Sequence, residues 1–218
     1  RFRYLVVLDF EATCDDGGRV PHDEREIIEV PALLLDLQRL AVVAEFHSFV
    51  RPVQHPVLTE FCSKLTGIQQ AQVDAAPRLP EVLGALTAWL ATVHRLDPGL
   101  APLVDPASRR PNFTFATCGD WDFQSGLPSE CARKGLELPW WAGWWVNMKE
   151  SFKETYGRPR KKDMTNMLSF LKMPLIGHHH SGIDDSRNIA ALCIRMAQDG
   201  CCFRATGGTV PKSVWQLW

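Results

Sequence analysis

The stretch Tyr4-Leu5-Val6-Val7-Leu8-Asp9-Phe10-Glu11 decides how the rest of the chain reads. Its apolar run is the pattern of a buried β-strand. Side chains two apart on a strand share a face, about 6 to 7 Å apart, so Asp9 and Glu11 project together where the strand leaves the core. Two like charges about 4 Å apart repel by on the order of 4 kcal/mol at an effective dielectric of 20. A cation is the natural neutraliser. Hard ions such as Mg²⁺ take carboxylate oxygens and keep positions open for water and phosphate. The pair therefore reads as half of a metal site suited to phosphodiester chemistry.

The elements around this stretch set the architecture. Strands are expected at Tyr4–Phe10, Ile27–Leu37 and Val42–Arg51. Their short connections favour antiparallel neighbours, a three-strand meander. Leu79–Val93 carries an apolar stripe at helical spacing through Val82, Leu83, Leu86, Trp89, Leu90 and Val93. His94–Asn112 has four prolines and little periodicity, and reads as a surface insertion. Phe113–Cys118 reads as another buried strand, with a helical segment from Trp121 to Gly135. Trp140–Trp145 reads as an aromatic cluster in a loop, and helices are expected near Val146–Tyr156, at Asp163–Leu171 and at Asp184–Asp199, the last ended by Gly200. Cys201–Thr206 is expected to add a final strand. Strands first, then alternating strands and helices, give an α/β three-layer domain with a mixed sheet.

A length of 218 residues with 45% hydrophobic content suits one generous domain. With 24 basic and 25 acidic residues, bulk charge does not hold nucleic acid, so any such binding needs a local patch. The seven cysteines form no CxxC pair and no regular spacing, which argues against a disulfide framework and for a reducing compartment, cytoplasm or nucleus. No apolar stretch has transmembrane length, so no membrane partner is expected. The chain starts with Arg1 directly before a strand, as a piece of something longer would.

Two further acidic clusters complete the chemistry. In Cys118-Gly119-Asp120-Trp121-Asp122, Asp120 reads as the N-cap of the helix starting near Trp121, leaving Asp122 as the better metal carboxylate. In His178-His179-His180-Ser181-Gly182-Ile183-Asp184-Asp185 two registers pair an imidazole with an acid, His180 with Asp185 or His179 with Asp184. Asp185 shares a helix face with Ile189, Leu192 and Met196, whereas Asp184 lies with Asn188, Ala191 and Arg195 on a face that looks solvated. A buried acid needs a partner, so Asp185 with His180 is preferred. Three adjacent histidines do not converge on one ion, which disfavours zinc. An imidazole beside activated water suits general-base work.

The order Asp-x-Glu, Asp, His-x-x-x-x-Asp is far more specific than its pieces. The chain resembles the DEDDh exonucleases of the ribonuclease H-like superfamily, most nearly the branch of the histone-mRNA 3′-end and enhanced-RNA-interference exoribonucleases. The resembling stretches are 7–14, Glu26-Ile27-Ile28-Glu29-Val30-Pro31, 61–68, 119–122 and His180-Ser181-Gly182-Ile183-Asp184-Asp185 with its continuation to Ala190. They imply one domain over residues 1–206, with the insertion at about 94–112 and a tail at 207–218 that have no counterpart.

The resemblance implies that Asp9, Glu11, Asp122 and Asp185 hold two Mg²⁺ or Mn²⁺ ions with His180 as general base. It also implies a 3′-terminal nucleotide pocket of Thr13, Phe61, Leu65, Thr66 and Trp121. From the residues alone, Phe61 and Trp121 are either stacking faces for a base or packing residues. Arg158–Lys162, Lys149 and Lys153 are either phosphate contacts or a solvated face. The expected activity is 3′→5′ hydrolysis of RNA ends, structured ones included, to nucleoside 5′-monophosphates, with targeting by a partner protein or flanking sequence. A DNA exonuclease of the same superfamily, or a binding module without turnover, is the alternative.

Overall fold

The alternation in β1 (Tyr4–Val7) builds the core on both sides of one sheet. The structure is a computed structural model that describes residues 2–107, 110–157 and 163–208. Tyr4, Val6 and Leu8 pack with α3 (Leu79–Thr92) and α4 (Leu127–Lys134) on one face. Leu5 and Val7 face α5 (Met148–Tyr156), α6 (Met164–Phe170) and α7 (Gly182–Gln198) on the other. Three layers result.

β1 runs antiparallel to β3 (Ile27–Asp36), which pairs on with β4 (Ala41–Phe49) and with the short β2 (Glu11–Ala12). On its other side β1 runs parallel to β5 (Phe113–Thr117), and β5 parallel to β6 (Trp144–Asn147). This is the expected meander followed by parallel strands. A third cluster, Cys14, Ile28, Leu58, Cys62, Ile68 and Val73, sits under α1 (Glu60–Thr66) and α2 (Gln70–Asp74). Thr59 caps α1 by accepting the Cys62 N–H.

Three sequence expectations are corrected. The Trp140–Trp145 stretch is no mere loop cluster, because Trp144 and Trp145 open β6, and Trp141 and Trp145 are core residues. The following helix accordingly starts at Met148. No strand forms over Cys201–Thr206. Instead β7 (Gly207–Gly208) pairs antiparallel with β6, where a side chain at position 207 would have no room against the Trp145 indole. Within 94–112, Leu100 and Leu103 reach into the core, and the Asn112 carbonyl accepts from the N–H groups of Arg3 and Tyr4. The basic run 158–162 lies outside the described residues.

One buried acid ties the fold's loops together. The Glu26 carboxylate, fully buried, accepts the N–H groups of Val53, Gln54 and His55 and pairs with the Lys134 ammonium at 2.8 Å. Burial pushes its carboxyl up, but Lys134 and the backbone donors outweigh that and hold it below the ordinary range. Because the folded value is depressed, this stabilisation is present above the ordinary carboxylate range and is lost as pH falls through the folded value. Glu26→Ala is expected to cost about 3 kcal/mol, measured by denaturant unfolding at pH 7, with a smaller difference from wild type at acid pH.

Candidate active site

The parallel pairing of β1 with β5 is what brings distant acids together. Leu8 N–H still bonds the Ala116 carbonyl, so both strands end at the same level of the sheet. Asp9 follows β1 at that edge, and Glu11 opens β2. Asp122 lies in a tight helical turn, Asp122–Gly126, after β5, and its Oδ1 accepts the Phe10 N–H at 2.9 Å. Asp185 comes in on the first turn of α7. Ligand oxygens of Asp9, Glu11 and Asp185 lie within 4.8 Å of one another.

Crowding acids in a cleft has an electrostatic cost. Burial, then Asp122, Asp185 and Glu29, push Asp9 well up, opposed by the Lys149 ammonium. Burial, then Asp9, Glu29, Asp185 and Asp122, push Glu11 to about 11. Asp122 rises to about 6 through burial, restrained by the Phe10 N–H, its own backbone N–H and Lys149. Asp185 is raised by burial against the pull of the His180 N–H and His179. Acids that resist ionisation together are a site built for compensating positive charge. The donor set of Asp9, Glu11 and Asp185 is all carboxylate oxygen, a chemistry that fits a hard divalent cation; Asp122 stands next to it with Oδ1 on the Phe10 N–H and is not one of the three grouped acids.

His179 and His180 each bring a ring nitrogen within 4.8 Å of an Asp185 carboxylate oxygen, so the His180–Asp185 pair does meet and His179 joins it. The ring that touches Asp185 is His179, whose Nδ1 lies 3.0 Å from Oδ2. His180 donates its backbone N–H to the same oxygen at 2.9 Å while its ring lines the cleft. The two rings stack at 3.9 Å. His180 sits at φ 70°, in the left-handed region that a non-glycine residue adopts at a cost of about 1 to 2 kcal/mol. Burial and His179 lower its imidazole below the ordinary value, against the pull of Asp185. His178 is turned to the Leu65 carbonyl.

Beside the acids lies a cavity of about 280 Å³ lined by Phe10, Glu11, Ala12, Cys14, Arg25, Leu65, Trp121 and His180. Leu65 and Trp121 both line this cavity, with Trp121 36% exposed. Thr13, Phe61 and Thr66 are not on this wall. Thr13 is buried with its hydroxyl accepting the Glu26 N–H. Thr66 bonds the Cys62 carbonyl and accepts the Ile68 N–H. Phe61 packs with the cluster beneath α1. These three support the pocket rather than line it.

Asp120 stands just before the helix, its carbonyl accepting the Gln124 N–H, but its side chain does not cap it. Its carboxylate accepts from Trp145 Nε1 at 2.8 Å and Asn147 Nδ2 at 2.7 Å, locking β6 beside the site. The face of Asp184 is likewise not solvated at Asn188, which is buried and bonds both the N–H and the carbonyl of Ile176. Sequence reasoning passed over Arg25 and assigned no role to Glu29. A lone acid inside an apolar strand was the available signal for Glu29, whereas Arg25 had none.

The Trp121 ring rests on Gly126, where an added Cβ would lie 3.0 Å from it. Gly126 has ordinary helical backbone angles, so Ala is tolerated there and the ring is what moves. Gly126→Ala is expected to raise KM for a ligand stacked on Trp121 roughly fivefold, about 1 kcal/mol of a 1 to 3 kcal/mol stacking contact, with little change in Tm. Steady-state kinetics and a melting curve check both.

An acidic cage at the ends of adjacent parallel strands, in a mixed sheet layered by helices, defines a nuclease domain of the ribonuclease H-like fold. The chain belongs to the exonuclease (RNase_T) family, whose model matches residues 6–193. ERI1 exoribonuclease 3 of Homo sapiens is 39% identical over 206 residues, covering 94% of this chain and 57% of that protein. The chain thus spans little more than half of that relative's length. The nuclease domain of 3′hExo, a DEDDh family member bound to rAMP, superposes with a TM-score of 0.83 at 35% identity, covering 95% of this chain and 98% of that one. A 3′-exonuclease solved for 3′-end specific recognition of a histone mRNA stem-loop gives 0.82 at 33% identity, with 96% and 93% covered.

Proposed function

We propose that this chain is the catalytic domain of a divalent-cation-dependent 3′→5′ exoribonuclease that releases nucleoside 5′-monophosphates. The observation that carries the reading is the convergence of Asp9, Glu11 and Asp185 beside a cavity walled by Leu65, Trp121 and His180. Two Mg²⁺ or Mn²⁺ ions held by Asp9, Glu11, Asp122 and Asp185 would neutralise the scissile phosphate and the attacking and leaving oxygens. The remaining work falls to side chains. Trp121 and Leu65 clasp the terminal base, a sequence-tolerant contact. His180, with its ring on the cleft wall, takes the proton of the attacking water. The Lys149 ammonium, whose charge already opposes those of Asp9 and Asp122, faces the incoming phosphate.

RNA 3′ ends are the substrate class favoured by the relatives' names, and the stem-loop bound by the structural neighbour extends that class to structured ends. Seven free cysteines support a reducing compartment, cytoplasm or nucleus, and no helix among the described residues is long and apolar enough to cross a membrane. Substrate delivery by a targeting protein or by flanking segments is part of this reading. The test is degradation of 5′-labelled single-stranded RNA, stem-loop RNA and DNA side by side, with Mg²⁺ and then with EDTA. A ladder of shortening RNA that EDTA abolishes is expected. Equal or faster loss of DNA would move the substrate to DNA, and EDTA-resistant cleavage would end the reading.

A further inference from the structure

Helix α7 starts without a cap of its own. Ser181 occupies the N-cap position, yet its side chain makes no capping bond. The exposed ends of a helix's first N–H groups need acceptors, and here they come from 153 residues earlier in the chain. Glu29, 2% exposed and the third residue of β3, accepts Gly182 N–H at 2.9 Å on Oε2 and Ile183 N–H at 3.2 Å on Oε1. His47 of β4 holds Oε1 from the other side at 2.8 Å.

The approach is as close as the backbone allows. A Cβ on Gly182 would lie 2.7 Å from the Asp9 carbonyl oxygen and 3.0 Å from Glu29 Oε2. The start of α7 is therefore wedged between the end of β1 and this carboxylate, less than one turn before Asp185. Asp185 in turn holds the His180 N–H. The junction thus lies between Asp9 and the groups that α7 and its leading loop bring to the cluster.

A serine at position 181 could cap the helix locally. The chain instead buries a further acid whose charge makes Asp9 and Glu11 harder to ionise. That cost has a purpose if the acid sets where α7 docks.

We propose that Glu29 is a positioning residue: it caps α7 from across the sheet and thereby sets Asp185 and His180 against Asp9 and Glu11. The proposal rests on the reading of those acids as the cation cage. Glutamine keeps the shape and one acceptor oxygen but puts a donor NH₂ in place of the other, so one of the two helix N–H groups loses its acceptor, and alanine removes both bonds.

Glu29→Gln, Glu29→Ala, His47→Ala and Asp185→Asn of this chain are compared by kcat and KM on a 5′-labelled RNA with Mn²⁺. Mn²⁺ binding is followed by calorimetry and folding by melting curves. Glu29→Gln is expected to lose at least tenfold in kcat and fivefold in Mn²⁺ affinity, with KM within threefold and Tm within a few degrees. Glu29→Ala loses at least a hundredfold in kcat, and where it fails to fold Glu29→Gln decides. His47→Ala, which leaves both helix bonds, stays within threefold of wild type.

Variants of Glu29 with wild-type kcat and Mn²⁺ affinity below their melting transition, beside an inactive Asp185→Asn, overturn this proposal alone. A lowered Tm with unchanged kcat does the same, since it leaves Glu29 a merely structural role. Loss in His47→Ala equal to that in Glu29→Ala also overturns it. If Asp185→Asn is fully active, the cage reading fails and the proposal falls with it.

Discussion

Asp9→Asn is expected to lower exonuclease turnover at least a thousandfold while leaving the cation-free protein no less stable than wild type. The two halves have one cause. Asp9 is crowded by Asp122, Asp185 and Glu29, all of which oppose its charge, so an uncharged isostere relieves repulsion in the absence of metal. With metal the sign reverses. A site filled at a hundred times its Kd stabilises the fold by about 2.7 kcal/mol, roughly 5 to 10 °C for a domain of this size. The variant has lost a charged ligand and gains little of that. About 4 kcal/mol less charge stabilisation in the transition state is a thousandfold in rate. Melting curves after EDTA dialysis, then with Mn²⁺, check the stability half, and RNA degradation checks the rate. An apo variant that melts well below wild type and keeps its full Mn²⁺ shift would place Asp9 in the scaffold instead.

The same crowding explains why the acids were legible in sequence. Asp9 and Glu11 end an apolar strand, and an acid has no reason to be there unless something pairs with it. Asp185 was legible through helix periodicity, since its neighbours at one, two and three turns, Ile189, Leu192 and Met196, are all buried. Asp122 was separable from Asp120, although Asp120 was given the wrong occupation. Its partners Trp145 and Asn147 lie 25 and 27 residues on, in a strand that the tryptophan-rich pattern disguised as a loop. Strand β6 is four residues long and continues directly into α5, so neither alternation nor a turn marks it.

The pocket was less legible than the cage for a physical reason. Thr13, Phe61 and Thr66 are the residue types that contact a nucleotide, yet their side chains are taken up by the Glu26 N–H, the α1 packing and the α1 C-terminal turn. Which of several suitable side chains faces a cavity depends on the docking of α1 over β2, a long-range event without a local sequence signature. Glu29 shows the converse. Its role is fixed by a helix that begins 153 residues later, and only a buried acid in an apolar strand pointed to it.

His180→Ala is expected to lose about 10² to 10⁴ in kcat, the usual worth of a general base, with melting temperature and Mn²⁺ affinity near wild type. The geometry makes the neighbouring histidine the decisive comparison. His179 carries the ring that contacts Asp185, so it helps hold a cation ligand, and removing it leaves Asp185 still bonded to the His180 N–H. His179→Ala should therefore cost tenfold or less, largely as weaker Mn²⁺ binding. His180 lines the cavity, and its backbone lies in the left-handed region. A backbone held in that region against its preference points to a constraint at the site. Small imidazoles added to His180→Ala are expected to restore part of the rate, because the space left is open to the cleft, and to do nothing for Asp9→Asn. If His179→Ala proves the more damaged in kcat and the more responsive to imidazole, then His179 moves the proton and the His180 ring serves the terminal base instead.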